Sequence, residues 1–219
     1  MNDVMYLTRD DIVLSLKSMR EFNTELSKTF NNFGMSIEQN TGRRNALLSQ
    51  AQEHFVSKEL KKRYPSTLND GRTGKSDICI PELDIELECK LTTPSVTGSI
   101  SLQADKECFG SDGKDFLYII ADAAFQSFSV LFFKSLQRSD FSDCVESAKG
   151  KVKMRKNLTY SKCTVLYGDY EPRSSKMIDK IKSELKKKKP GTKTYKNLVD
   201  RQKYWENAPE SFTISLSPA

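Results

Sequence analysis

The sequence predicts an α/β fold: one domain with a central β-sheet flanked by helices. Three observations carry this. Two stretches near the start repeat apolar residues at helical period. A strand-like segment then alternates strictly over Leu83 to Leu91. A near-continuous apolar run follows at Asp115 to Asp122, as in a strand covered on both faces.

From about Asp10 to Phe33, Ile12, Val13, Leu16, Met19, Phe22, Leu26 and Phe30 form one stripe, with Thr8 or Asp10 as the cap. Asn40 to Arg44 reads as a polar link. A second helix from about Asn45 to Arg63 turns Leu47, Leu48, Ala51, Phe55, Val56 and Leu60 inward, with Glu53 at the edge of that stripe. Gly71 to Ser76 looks like the end of a phosphate-binding loop. Asn69 stands where the first glycine is required, however, and the segment runs into a strand rather than a helix, so no nucleotide cofactor is expected. Leu91 to Gly113 reads as a polar loop. Beyond the run at 115–122, Phe128 to Lys134 is a further strand and Asp140 to Ala148 a short helix. A basic hairpin pairs 149–156 with Tyr160 to Tyr170. A helix from about Ser174 to Lys189 stops at Pro190-Gly191, and Tyr195, Tyr204 and Trp205 lie in a last amphipathic segment.

Charge divides the chain unevenly. The total is +6, yet between Lys149 and Tyr204 there are 18 Lys and Arg against 5 Asp and Glu, so the rest is net acidic. A basic third on an acidic body points to a polyanionic partner. The five cysteines (Cys79, Cys89, Cys108, Cys144 and Cys163) are scattered, without CxxC spacing, and read as reduced thiols. His54 is the sole histidine, which excludes a histidine-centred metal site. No apolar run is long enough to span a bilayer, so no membrane partner is expected.

The chemistry gathers at 76–92. Leu83, Ile85, Leu87, Cys89 and Leu91 face one way, and Asp84, Glu86, Glu88 and Lys90 the other. Residues two apart on a strand lie about 6.5 to 7 Å from each other, so Glu88 and Lys90 can meet in one small volume. Ser76 to Ile80 forms a preceding strand with Pro81-Glu82 at the hairpin tip. A tip of two or four residues puts Asp77 opposite Glu86 or Glu88, on the charged face, and an odd tip turns it away.

Asp77 followed by Glu88-x-Lys90 on an amphipathic strand resembles the active-site motif of the PD-(D/E)xK nuclease superfamily, which includes most type II restriction endonucleases. The resemblance covers about residues 76 to 92, and Ser76 occupies the place of the name-giving proline. It implies a restriction-endonuclease-like core, with a mixed central β-sheet flanked by helices, within residues 1–148, completed by the basic hairpin and helices of 149–219. It implies Asp77 and Glu88 as Mg²⁺ ligands, the Cys89 carbonyl as a further ligand, and Lys90 assisting the attacking water. Many of these nucleases carry a helical acid ahead of the sheet. Glu53 is the candidate here, an ordinary surface acid being the alternative. DNA contacts are expected from Arg43, Arg44, Lys75, Ser99, Ser101, Gln103, Lys151, Lys153 and Arg155. The activity implied is Mg²⁺-dependent, site-specific cleavage of double-stranded DNA by a homodimer in a prokaryotic cytoplasm. A structure-specific repair nuclease or Holliday-junction resolvase of the same fold is the nearest alternative. A non-catalytic nucleic-acid-binding protein is the alternative of another class.

Overall fold

The computed structural model describes residues 5–70, 75–95, 100–109, 113–144, 150–159, 162–168 and 175–206. Helix α1 (Arg9–Asn32) starts in a capping box: the Asp11 N–H donates to the Thr8 hydroxyl at 3.3 Å and the Thr8 N–H to the Asp11 carboxylate at 2.8 Å. Helix α2 (Thr41–Lys61) begins ahead of the expected Asn45, because the Asn40 side chain accepts the Arg43 N–H at 3.0 Å and caps the chain there.

The strands follow as β1 (Leu68–Asn69), β2 (Ile78–Ile80), β3 (Ile85–Thr92), β4 (Gln103–Asp105), β5 (Lys114–Ala121), β6 (Phe128–Leu136), β7 (Phe141–Asp143), β8 (Lys151–Met154) and β9 (Cys163–Tyr167). Six of them form a mixed sheet in the order β1-β2-β3-β5-β6-β9, in which β3 and β5 run parallel and the other pairs antiparallel. A second sheet, β4-β8-β7, is antiparallel.

These elements stack in three layers. On one face of the main sheet, Ile12, Leu16 and Met19 of α1 and Leu48, Val56 and Leu60 of α2 close over Leu87, Cys89, Leu117 and Ile119. On the other, Leu102, Ala104, Phe141, Val152 and Met154 of the small-sheet side cover Phe116, Tyr118, Leu131 and Phe133. Strand β5 is buried on both faces, as its apolar run requires. Helices α4 (Ser175–Lys186) and α5 (Lys193–Glu206) pack on one another, and α3 (Lys156–Thr159) is a single turn. Among the described residues no helix is long and apolar enough to cross a membrane.

Three expectations are corrected. The polar loop after Lys90 contains β4, because Ile100, Leu102 and Ala104 alternate inward and are buried beneath the sheet. The expected helix from Asp140 begins instead as the last residue of a 3₁₀ turn and continues as β7, whose Phe141 points into the core; residues 145–149 lie outside the described set. The expected basic hairpin does not form. Strand β8 pairs with β4 and β7, while β9 joins the main sheet beside β6, because Val152 and Met154 of β8 seal one core face and Leu166 and Tyr167 of β9 belong to the other. Tyr160 and Tyr170 fall outside the described residues.

Candidate active site

The β2–β3 hairpin sets the geometry. Its register pairs Ile78 with Leu87, Cys79 with Glu86 and Ile80 with Ile85. The connection is the 3₁₀ turn Pro81–Leu83 plus Asp84, whose φ of 53° is left-handed, so the tip holds an even number of residues and parity is kept. One step before β2, Asp77 therefore falls beside Glu88. Its carboxylate accepts the Cys89 N–H at 2.7 Å and so replaces the next rung of the ladder. Glu86, the competing partner, is engaged elsewhere, by the Ser76 hydroxyl and by Lys114 at 3.4 Å.

Glu88 is 5% exposed and accepts from the Lys90 amine at 2.6 Å. The two stand in register with Phe116 and Tyr118 of β5, on the small-sheet side, where Asp105 of β4 comes within 3.6 Å of the same amine. Glu53 approaches from α2, on the helical side. Burial and the neighbouring Asp77 and Glu88 charges push its carboxyl up to about 7, against the opposing pull of Lys90. Asp77 is also raised, by burial and then by Glu88, with Lys90 and the Cys89 N–H working the other way. Burial disfavours the Lys90 charge, yet Glu88, Asp77 and Asp105 outweigh it and hold the amine above its ordinary value, so it remains an ammonium at neutral pH.

Two openings meet at Lys90. A cleft of about 490 Å³ lies between α2 and β3, lined by Asn45, Ser49, Glu53, Lys90 and Thr92 among others. A pocket of about 200 Å³ lies on the opposite side, with Ser101, Gln103, Tyr118 and Lys151 around the same lysine. Lys90 is thus reachable from both sides of the strand that carries it.

The donor set suits a hard cation. Asp77, Glu88 and Glu53 offer oxygens, the kind of ligand Mg²⁺ takes, and both Glu53 and Asp77 are raised first by burial and then by a neighbouring carboxylate, whose repulsion a divalent ion would relieve. As the side chains stand, among the described residues no three His, Cys, Asp or Glu side chains are gathered closely enough to hold an ion, since Asp77 is turned to the Cys89 N–H and Glu88 to Lys90. The Cys89 thiol is buried and held protonated by that burial, so this residue can contribute only its carbonyl oxygen.

The expected DNA contacts divide. Arg43, Lys75, Gln103, Lys151, Lys153 and Arg155 are exposed, and Ser101 is half-buried and accepts from the Gln103 amide at 3.1 Å. Ser99 lies outside the described residues. Arg44 is corrected: it is 1% exposed, donates to the carbonyls of Asp122 and Ala123 and to the Thr93 hydroxyl, and lies 5.1 Å over the Phe125 ring. The early start of α2 turns it toward the body, where it ties the helix to the β5–β6 turn. One charged group at the centre, Asp105, was missed. The Ile100-x-Leu102-x-Ala104 alternation was the available signal, since it announces a strand whose next outward residues include Asp105.

Comparison of the chain with protein-family models, with curated proteins and with solved structures finds no match.

Proposed function

We propose that this chain is a Mg²⁺-dependent endonuclease of the type II restriction kind, with a restriction-endonuclease-like core, hydrolysing phosphodiester bonds of double-stranded DNA as a homodimer. One observation carries the reading: Asp77 binds the Cys89 N–H between Glu88 and Lys90, Glu88 is buried against the Lys90 amine, and Glu53 of α2 lines the same cleft as Lys90. Isolated acid–lysine alternation on a solvated strand would leave Glu88 exposed and would recruit no acid from the opposite layer. The oxygens of Asp77, Glu88 and the Cys89 carbonyl would hold the ion. When bound, Mg²⁺ supplies charge stabilisation at the phosphate and a more acidic water.

The remaining roles belong to the protein. Lys90, a protonated donor, orients the nucleophile and balances the charge growing on the phosphate oxygens, instead of acting as a base. Glu53, which lines the cleft beside Lys90, is the carboxyl placed to accept a proton. The wide cleft beside α2 and the row Lys151, Lys153 and Arg155 would take the DNA backbone.

The test is incubation with plasmid and phage DNA, with Mg²⁺ or with chelator. Discrete fragments that need Mg²⁺ are expected. Nicking or branch-specific cutting would indicate the structure-specific alternative, and retarded but intact DNA a binding protein. Lys90→Ala and Glu88→Gln should each lower cleavage by about 10² to 10³-fold, the usual cost of losing one transition-state contact, with duplex affinity in chelator nearly unchanged. Retained cutting in either variant sinks the assignment.

A further inference from the structure

Among the described residues two carboxylates form ion pairs with the Lys90 amine, Glu88 Oε1 at 2.6 Å and Asp105 Oδ2 at 3.6 Å, while Asp77 acts on it without such a contact. The other Asp105 oxygen accepts from the Lys151 amine, and Asp105 and Lys151 are direct partners in the β4–β8 ladder, so that pair is held in place by strand register. Lys90 and Lys151 both line the pocket of about 200 Å³ on this side of β3. Asp105 therefore stands between the central lysine and the exposed basic strand.

We propose that Asp105 is a positioning residue: it holds the Lys90 amine on the small-sheet side of β3, and it is shared between Lys90 and Lys151. The purpose of that hold rests on the nuclease reading, whereas the sharing rests on the contacts alone. Glu88 cannot serve a divalent cation and an ammonium equally well, because the two positive charges repel across one carboxylate. A second counterion on the far side keeps the Lys90 amine in place when Glu88 is drawn away. Asp105 suits this role: burial disfavours its charge, but Lys151 and Lys90 prevail and hold its carboxyl below the ordinary value.

The test is lysine acylation of the cation-free protein by sulfo-N-hydroxysuccinimide acetate at fixed pH, with modification of Lys90 followed by mass spectrometry. Asp105→Asn should speed labelling of Lys90 by about threefold, the size expected of one partly exposed ion pair. Asp105→Glu should restore the wild-type rate. Lys151→Met should act in the opposite direction and slow labelling, since it leaves Asp105 wholly to Lys90. Mere loosening of the small sheet would speed labelling in both Asp105→Asn and Lys151→Met, so a shift in the same direction, or no shift, overturns the proposal. In the cleavage assay Asp105→Asn should lower kcat about tenfold with KM changed less than about threefold; an unchanged kcat also overturns it. A wild-type protein that cuts no DNA would strike the nuclease reading alone, and the labelling result would still decide the role of Asp105.

Discussion

Glu53 illustrates how neighbours decide what a side chain does. An acid at the edge of an amphipathic helix is ordinarily a solvated charge, but here burial and two facing carboxyls move it from 4.5 to about 7. A carboxyl that holds its proton more tightly in the folded state contributes stability that is complete below about pH 4.5 and is lost as pH rises through about 7. Glu53→Gln cannot ionise. Its melting temperature in chelator should match wild type near pH 4.5 and exceed it at pH 8, by about 3 °C once solvent screening of a half-buried group is allowed for. Mg²⁺ should narrow that gap at pH 8. Parallel melting curves across this range would show that Glu53 is neither desolvated nor within the field of Asp77 and Glu88. Glu88-x-Lys90 was legible because strand periodicity is local, whereas the place of Asp77 beside Glu88 instead of Glu86 depended on the length of the hairpin tip. Glu53 could be placed only on a helix edge, since the layer it faces is decided by packing.

Arg44 makes the corresponding point for helix α2. Both Arg43 and Arg44 are expected to contact DNA from the end of a polar link, yet the Asn40 cap begins the helix early and sends the two side chains to different environments. Arg44 joins α2 to the turn after β5 and to Thr93 just beyond β3, the strand that carries Glu88 and Lys90. Replacing it with methionine keeps most of the volume but takes the guanidinium donor from the Ala123 carbonyl and the Thr93 hydroxyl, while the Asp122 carbonyl keeps only the Phe125 N–H. Arg44→Met should therefore lower unfolding free energy by about 3 kcal/mol in urea denaturation, whereas Arg43→Ala should leave stability within about 0.5 kcal/mol. Equal small effects would remove Arg44 from its structural role. Strand β4 is hard to read in the chain because the inward alternation of Ile100, Leu102 and Ala104 is set among Ser and Thr residues that suit a loop.

The charge asymmetry belongs to the assembled protein. Strand β8 displays Lys151 and Lys153 outward, with Arg155 exposed just beyond, on the layer that also carries Asp105 toward the central lysine. If this row follows a DNA backbone, each lost phosphate contact lowers the slope of log affinity against log salt by about 0.9, so Lys153→Gln with Arg155→Gln should reduce it by about 2. An unchanged slope would mean that the row only faces solvent. The +6 total predicts nothing of the kind, because a net charge says nothing about where cations lie.

Patterns that close within a few residues were written in the chain itself. These are the two helical stripes, the alternation that puts Glu88 and Lys90 on one face, and the apolar run that became the sheet's centre; each follows from the period of a helix or a strand. Strand pairing far apart in sequence was decided only by the folded protein: β8 against β4 instead of β9, Arg44 inward, and Asp105 beside Lys90. Such pairings depend on which apolar faces can close together without leaving backbone groups unpaired, and that is a property of all the layers at once.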